Sequence, residues 1–415
     1  MLKQMIAEKI KSLNRSHFST IFKGNLVAKF VLVIGGLMLA KYYGPEQYGS
    51  YSIYLSIVGI CTLTFGFGTE HLIVLSTKKG DIINSLNSIN LIAFLLLVFS
   101  IIFFFIFSFE EDLNKTIILG LISGFFLLVI NNIKYYLAKK ESFKNISLFT
   151  ITEASLCFLF QIIFIFLEVK DGLILGNFIG FAIVFLIILF WIRNDLQFPD
   201  FKKFSSSLKK RKDLIIYSYP SNIINSLGNN IMPILISFYF AYSLLGEFSL
   251  ASKILSVPML LISSSLATVF YPKAVSLKET KGIHELKLYT KKISRMNFLV
   301  ILSLFIVLNT FGIYFIEIFY DKGWENIREF MFILSLGLLG RSLVNPVADI
   351  LTILKKNYIA LIFNIYLLIA NLVSLYIGID SGIRSLIYSY SFSIFIGYLV
   401  LYLYIMQLNI KNEHY

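Results

Sequence analysis

The chain has 415 residues, of which 57% are hydrophobic and 15% charged, and it contains 41 Phe and 24 Tyr. About a quarter of the residues of an average soluble domain are charged, so this composition excludes an ordinary soluble protein and indicates a membrane protein. The two cysteines, Cys61 and Cys157, lie in apolar runs and predict neither a disulfide framework nor a metal cluster.

Twelve apolar segments are long enough to cross a bilayer as helices, because a hydrocarbon core of about 30 Å needs about 20 helical residues. The fold class predicted is therefore an all-α polytopic membrane protein. Before the first span, apolar residues recur at helical spacing among lysines, which predicts an amphipathic segment on the inner leaflet or a disordered tail. The predicted spans are 24–43, 48–75, 88–109, 115–138, 148–168, 172–192, 214–240, 246–272, 296–319, 328–354, 357–379 and 385–407.

The distribution of basic residues predicts the orientation of the chain. With both termini on the cytoplasmic side, the inner segments hold 28 of the 37 Lys and Arg and the outer loops hold six. Cytoplasmic loops retain positive charge, so we expect a protein of the inner (plasma) membrane with both its N- and C-termini in the cytoplasm. The net charge of +13 then reflects this bias and attraction to anionic membrane lipids, and it gives no reason to expect nucleic acid as a partner.

Three basic residues remain, and each falls inside a predicted span: Lys29, Lys253 and Arg341. A charge near the bilayer centre costs about 2.5 to 3.5 kcal/mol, so it usually faces protein or water. Lys29 and Lys253 have an alternative, since a long side chain can extend to the headgroups. For Arg341 the alternative is an ion pair with Asp349, and Asn345 falls between the two on the same helical face.

Other polar residues in the spans provide candidates for coupling and for substrate contacts. We predict no cofactor and leave H+ or Na+ coupling open, with Asp349, Asn345, Glu153 and Glu70 as supporting or coupling candidates. Side chains that could hydrogen-bond sugar hydroxyls, or instead make contacts between helices, are Asn131, Asn132, Asn229, Asn230 and Tyr239. Candidate hinges, each alternatively a packing feature, are Pro233, Pro258 and Pro346.

A short motif occurs twice and predicts the domain organisation. "YGSYSIYLSI" around Gly49 matches "LGEFSLASKI" around Gly246, and the two glycines lie 197 positions apart and six predicted spans apart. An even number of spans gives both halves the same orientation, so we predict a parallel repeat of two six-helix lobes. The predicted parts are an amphipathic segment (1–23), an N-lobe (24–192), a basic cytoplasmic linker suited to a hinge or lid (193–213), a C-lobe (214–407) and a cytoplasmic tail (408–415).

Four stretches carry a resemblance to a known family. They are "KGNLVAKFVLVIGGLMLAKYYGPEQYGSYSIYLSIVGI" from Lys23, "GFGTEHLIVLSTKKGD" from Gly66, "YSLLGEFSLASKILSVPMLLISSSLATVFYPKAVSL" from Tyr242, and "FYDKGWENIREFMFILSLGLLGRSLVNPVADILTILKKN" from Phe319. The chain resembles the polysaccharide flippases, which serve O-antigen and capsule synthesis, of the multidrug/oligosaccharidyl-lipid/polysaccharide exporter superfamily.

The resemblance implies two six-helix bundles around a cationic cavity. It implies a protein that moves undecaprenyl-pyrophosphate-linked oligosaccharides from the inner to the outer leaflet by alternating access, alongside other polysaccharide-assembly proteins. Lys29, Lys253 and Arg341 stand where the family carries basic residues for the pyrophosphate. This sequence has Lys at the first two positions, which supplies a point charge in place of a bidentate guanidinium.

Other function classes remain open at this stage. A cation-coupled multidrug exporter shares the twelve-span plan, and a lipid II flippase is a further alternative. A membrane glycosyltransferase or ligase would place catalytic groups in substantial outer loops, and no predicted outer loop here exceeds about ten residues. We therefore predict a transporter and not an enzyme.

Overall fold

The computed structural model describes residues 2–66, 72–73, 76, 78–106, 111–209, 219–312, 314, 319–320, 323–354 and 356–407, without the side chains of residues 2–26, 29–30, 32–34, 111 and 357. The described residues are almost entirely helical, and no strand occurs among them. The helices are α1 (Leu2–Thr64), α2 (Lys79–Ile106), α3 (Glu111–Lys139), α4 (Phe143–Phe166), α5 (Gly172–Ile192), α6 (Phe201–Lys209), α7 (Tyr219–Tyr239), α8 (Tyr242–Val307), α9 (Ile327–Val344), α10 (Ile350–Ile353), α11 (Asn357–Ser381) and α12 (Ile383–Gln407).

Eight helices of the described part are long and apolar enough to cross a membrane. The predicted class, an all-α polytopic membrane protein, is therefore confirmed. The number of twelve spans stays a prediction, partly because neighbouring predicted spans form single long helical runs. Spans one and two lie largely in α1, and spans eight and nine lie largely in α8.

Both long runs are interrupted at a glycine with a left-handed backbone. Gly44 has φ 75° within α1, and Gly282 has φ 82° within α8. Glycine adopts positive φ without a steric penalty, so each residue lets the chain turn between two helical stretches. The loop predicted between spans one and two thus shrinks to a single turn at Gly44.

The chain divides into two compact units. The first comprises Met1–Tyr43 and Ser50–Ser226, and the second comprises Gly44–Gly49 and Leu227–Tyr415. The described part of the predicted linker belongs to the first unit and is attached to it. Asn84 on α2 donates to the carbonyl of Asp200 at 3.0 Å and accepts the Asp200 N–H at 2.7 Å. These bonds give the linker a fixed position that its polar composition did not predict.

Buried polar side chains connect the helices of the first unit. The hydroxyl of Tyr54, which is fully buried, lies 2.7 Å from Ser123 Oγ on α3 and 3.3 Å from Asn177 Oδ1 on α5. Asn177 in turn donates to the hydroxyl of Tyr51 at 3.0 Å. Because hydrocarbon offers no hydrogen bonds, polar groups in the spans are stabilised by pairing with one another.

The second unit is built around α9, which packs against α8 and α12, and α12 also packs against α11. Its main apolar cluster joins α8 to α10, α11 and α12, with Phe270, Val347, Ile350 and Tyr398 among its buried members. The cluster lies next to the turn that ends α9. It therefore fixes the end of the helix that carries Arg341.

Within the second unit, the two copies of the repeated motif contact each other. A Cβ added to Gly49 would overlap the carbonyl oxygen of Tyr242, and a Cβ added to Gly246 would overlap the carbonyl oxygen of Pro45. Each contact joins a residue to the residue four positions before its repeat partner, so the crossing has a local two-fold symmetry. Only glycine permits backbones to approach so closely, which explains why both motifs contain it.

A candidate anion site in the second unit

The position of Arg341 depends on how α9 ends. Pro346 has no N–H to donate to the carbonyl four residues earlier, so the α-helix stops at Val344 and a turn of 3-10 helix follows at Asn345–Val347. The carbonyls near the break receive side-chain donors from α8. Asn297 Nδ2 donates to the Ser342 carbonyl at 2.7 Å, and Ser294 Oγ donates to the Leu343 carbonyl at 2.5 Å. Arg341 therefore lies in the last turn of α9, and the carbonyls of this turn accept hydrogen bonds from α8.

The guanidinium of Arg341 is held by a neutral partner. Its Nη2 donates to Asn229 Oδ1 on α7 at 2.6 Å, and its central carbon lies 5.9 Å from the centre of the Tyr398 ring. Its Nε is buried and has no hydrogen-bond partner among the residues that the structure describes. Within the described residues no carboxylate lies within ion-pair distance of Arg341. A fixed cation with unused donors is suited to binding an anion.

The ion pair predicted between Arg341 and Asp349 is not formed in the described structure. The 3-10 turn containing Asn345 changes the helical pitch between the two residues, so they do not share one helical face. Asp349 is exposed and begins the short helix α10. This prediction is corrected: the residue that holds Arg341 is Asn229. A coupling role for Asp349 or Asn345 stays a prediction.

The structure describes the side chain of only one of the two lysines predicted to bind phosphate. Lys253, on α8, is half-buried, and its Nζ lies 5.8 Å from the centre of the Tyr48 ring. No carboxylate of the described residues lies within 4 Å of this Nζ. Lys29 lies in α1, but its side chain falls outside the described residues. A shared path of the three bases stays a prediction.

Of the acidic candidates, Glu153 has a clear partner. Its Oε2 lies 2.7 Å from Nζ of Lys134, and both side chains are about one-fifth exposed. Lys134 lies inside α3, within the predicted span 115–138. Glu70 lies outside the described residues.

The residues predicted as candidate sugar contacts differ in how deeply they are buried. Asn132 is fully buried and donates to Asn90 Oδ1 on α2 at 2.8 Å. It is therefore a contact between helices, and its prediction as a sugar ligand is corrected. Asn229 is engaged by Arg341. Asn131 and Asn230 are half-buried and Tyr239 is exposed, so their role stays a prediction.

Only one of the three candidate hinge prolines coincides with a break in a helix. Pro346 lies in the 3-10 turn after α9, whereas Pro233 and Pro258 lie inside α7 and α8. The described breaks elsewhere lie at glycines, as noted above. A hinge function for any of the three prolines stays a prediction.

Glu247 is a buried acid that the sequence analysis missed. It is 3% exposed, accepts the Asn326 N–H through Oε2 at 2.5 Å, and accepts Asn326 Nδ2 through Oε1 at 3.0 Å. Asn326 is the N-cap of α9, so the carboxylate stabilises the positive end of that helix. A charged residue directly after the crossing glycine was the signal that could have identified it.

Solved membrane transporters and flippases share this multi-pass fold. A lipid II flippase, MurJ, in an inward closed conformation has a TM-score of 0.75 at 17% identity, over 94% of this chain and 88% of that one. A multidrug resistance MATE family transporter of the MOP superfamily, in an inward-facing conformation, has a TM-score of 0.66 at 16% identity, over 92% and 93%. At these identities the likeness concerns the fold.

The sequence comparisons give the family. Residues 38–329 match the family of polysaccharide biosynthesis proteins, and the chain belongs to that family. The capsular polysaccharide biosynthesis protein CapF of Staphylococcus aureus is 28% identical over 337 residues, which cover 78% of this chain and 81% of that protein. The two structural neighbours are a flippase and a transporter rather than enzymes, in line with the class predicted from the sequence.

Proposed function

We propose that the protein is a flippase that moves undecaprenyl-pyrophosphate-linked oligosaccharide repeat units from the inner to the outer leaflet of the plasma membrane. The product would enter a surface polysaccharide such as capsule or O-antigen. Membership of the polysaccharide biosynthesis family and the transporter fold support this proposal. The orientation with cytoplasmic termini rests on the distribution of Lys and Arg.

The observation that supports the proposal most directly is the environment of the Arg341 side chain. Its charge lies in an apolar helix, it contacts an amide and an aromatic ring, and in the described part of the chain its Nε has no partner. A permanent cation in such a place is costly unless an anion or water compensates it. The pyrophosphate of a lipid-linked sugar offers the required charge, while its polyprenyl tail stays in the bilayer.

Lys253 adds a second cation that has no carboxylate partner among the described residues. We assign it, with Arg341 and Lys29, to the pyrophosphate. We propose no cofactor, and coupling to H+ or Na+ stays open as it did from the sequence.

The test is leaflet exposure of a fluorescent polyprenyl-pyrophosphate oligosaccharide in proteoliposomes. Wild type is expected to move the lipid, and Arg341→Ala is expected to lower the rate by about tenfold to hundredfold, the worth of one charge-assisted hydrogen bond. Lys253→Ala is expected to lower it as well. Arg384→Ala is the matched control, because Arg384 makes an exposed ion pair with Glu329 at 3.1 Å.

Two results would contradict the proposal. Transport of cationic dyes without movement of the lipid-linked sugar would favour the multidrug exporter. Normal flipping by Arg341→Ala at matched protein levels would assign the arginine a structural role.

A further inference from the structure

The segment between α5 and α6 presents apolar and basic side chains to the outside of the first unit. Phe198 is 100% exposed, and Phe201 and Leu196 are 47% and 43% exposed. The lysines of α6 are exposed as well. We call this set the linker surface, which consists of Leu196, Phe198, Phe201, Lys202, Lys203 and Lys209.

The backbone that carries the linker surface is fixed. Asp200 is the residue before α6, and its Oδ1 accepts the N–H groups of Lys202 and Lys203 at 3.0 and 3.1 Å, which is an N-cap. The reciprocal bonds with Asn84 attach Asp200 to α2, and Phe204 is buried beneath α6. Phe198 and Phe201 are therefore exposed on a backbone segment that hydrogen bonds and packing hold in place.

The charges of this region favour an anionic partner. Its two carboxylates are already engaged, since Asp200 caps α6 and Asp195 lies 2.7 Å from the Tyr136 hydroxyl and 3.4 Å from Lys140 Nζ. Lys203 lies 3.7 Å from Asp200, and no carboxylate of the described residues lies within 4 Å of Lys202 or Lys209. The linker surface thus carries uncompensated positive charge beside exposed aromatic rings.

The apolar part of the linker surface continues the outer surface of the spanning helices. Leu196 and Phe198 line a crevice of about 350 Å³ together with Phe94, Phe125 and Phe185 of α2, α3 and α5. Phe190 and Trp191, at the end of α5, are 68% and 45% exposed. Aromatic rings at the end of a span mark the headgroup level of a bilayer.

We propose that the linker surface is a binding surface for anionic phospholipid, with Phe198 and Phe201 inserted at the headgroup boundary and the lysines contacting lipid phosphates. Aromatic and apolar side chains beside basic residues are the composition of segments that lie in a membrane interface. The linker would then hold one end of the first unit at the membrane surface. This proposal does not depend on which molecule the protein transports.

The experiment uses the full-length protein in nanodiscs, with bimane attached to Phe198→Cys. Ser206→Cys is the matched control, because Ser206 is exposed on α6 and lies about 140° around the helix from Phe201. The two native cysteines are buried, and unmodified protein measures any labelling of them. The label is quenched either by aqueous iodide or by doxyl lipid, supplied as phosphatidylglycerol or phosphatidylcholine at equal mole fraction.

We expect doxyl lipid to quench position 198 more than position 206, and iodide to do the reverse. At position 198, the quantity of interest is the quenching by doxyl phosphatidylglycerol divided by the quenching by doxyl phosphatidylcholine. Lys202→Gln is expected to lower this ratio about fivefold, because one basic residue at an anionic surface contributes an effect of that size. Leu196→Cys replaces Phe198→Cys if that variant does not fold.

Equal iodide quenching at both positions would overturn the proposal. So would an unchanged lipid ratio in Lys202→Gln. Shielding that appears in detergent and rises with protein concentration would assign the surface to a second copy of the chain instead.

Discussion

Two basic side chains inside the apolar helices have specific partners on other helices. Lys134 meets Glu153 across α3 and α4, and Arg341 meets Asn229 across α9 and α7. The two pairs differ in charge, since the first is neutral overall and the second retains a net positive charge. For this reason we assign the first a structural role, compatible with Glu153 as a coupling candidate, and the second a binding role.

The Lys134–Glu153 pair yields a stability prediction. Lys134→Met leaves the carboxylate without its cation and is expected to destabilise the protein by about 2 kcal/mol, with a similar loss for Glu153→Met. The double variant is expected to recover most of the loss, because no uncompensated charge remains. Thermal unfolding in detergent measures all three variants. Equal stability of the single variants and wild type would contradict the interpretation.

At the scale of elements, helices end or bend where the backbone loses a donor or adopts positive φ. Pro346 ends α9, Gly44 divides α1, and Asp200 starts α6. In each case a neighbouring element supplies hydrogen bonds or a close contact. The positions of these ends then determine which side chains the helices present.

The cap of α6 predicts a pH dependence of the linker. The N–H of Lys203, followed by that of Lys202, lowers the pKa of Asp200, so the cap is fully present above the unfolded pKa of about 3.9 and is lost as pH falls through the folded value. Hydrogen exchange at the amides of Lys202 and Lys203, corrected for intrinsic rates, is expected to rise below about pH 4. Asp200→Asn keeps a capping oxygen without a titratable group, and its exchange should not change with pH in this way.

The crossing of the two repeated motifs gives a second prediction at this scale. Gly246→Ala places a methyl group against the Pro45 carbonyl and is expected to cost about 1 to 3 kcal/mol. The control is Gly80→Ala on α2, where a Cβ meets nothing within 4 Å and a change within about 0.5 kcal/mol is expected. Thermal unfolding compares the two. A loss of similar size in both variants would exclude the close crossing as its cause.

At the scale of the whole molecule, the chain is a multi-pass membrane protein with a strong asymmetry of charge. Lys and Arg concentrate in alternate connections between the predicted spans. The connection after α3, residues 140–142, and the connection after α4, residues 167–171, are separated by a 24-residue helix of about 36 Å. That length exceeds the hydrocarbon core, so the two connections belong on opposite sides.

This arrangement predicts how the chain can be labelled in cells. Lys170→Cys is expected to react with an impermeant maleimide in intact cells, whereas Lys144→Cys is expected to react only after the membrane is permeabilised. Both lysines are exposed. Lys144 lies at the start of α4, and Lys170 lies in the connection that follows it. The native cysteines are buried, and the unmodified chain measures their background. The opposite labelling pattern would reverse the predicted orientation and the proposed direction of transport.

By itself, the sequence determined that the protein is helical and membrane-bound, because apolar segments of spanning length are a local property that the bilayer requires. It also identified Arg341 and Lys253 as unusual charges, since depth in a span can be read from the sequence and a charge at depth is costly. The repeat around Gly49 and Gly246 was visible for a similar reason: a close backbone approach allows only one residue type.

Only the tertiary structure decided which residues pair, because pairing depends on the positions of helices far apart in sequence. Helical periodicity placed Asp349 beside Arg341, but the turn at Pro346 separated them and Asn229, more than 100 residues away, became the partner. Contacts between helices also removed Asn132 from the sugar candidates and showed Glu247 at the start of α9. They showed as well that the linker is attached to α2. Local patterns specify helices, and the contacts between helices specify the chemistry.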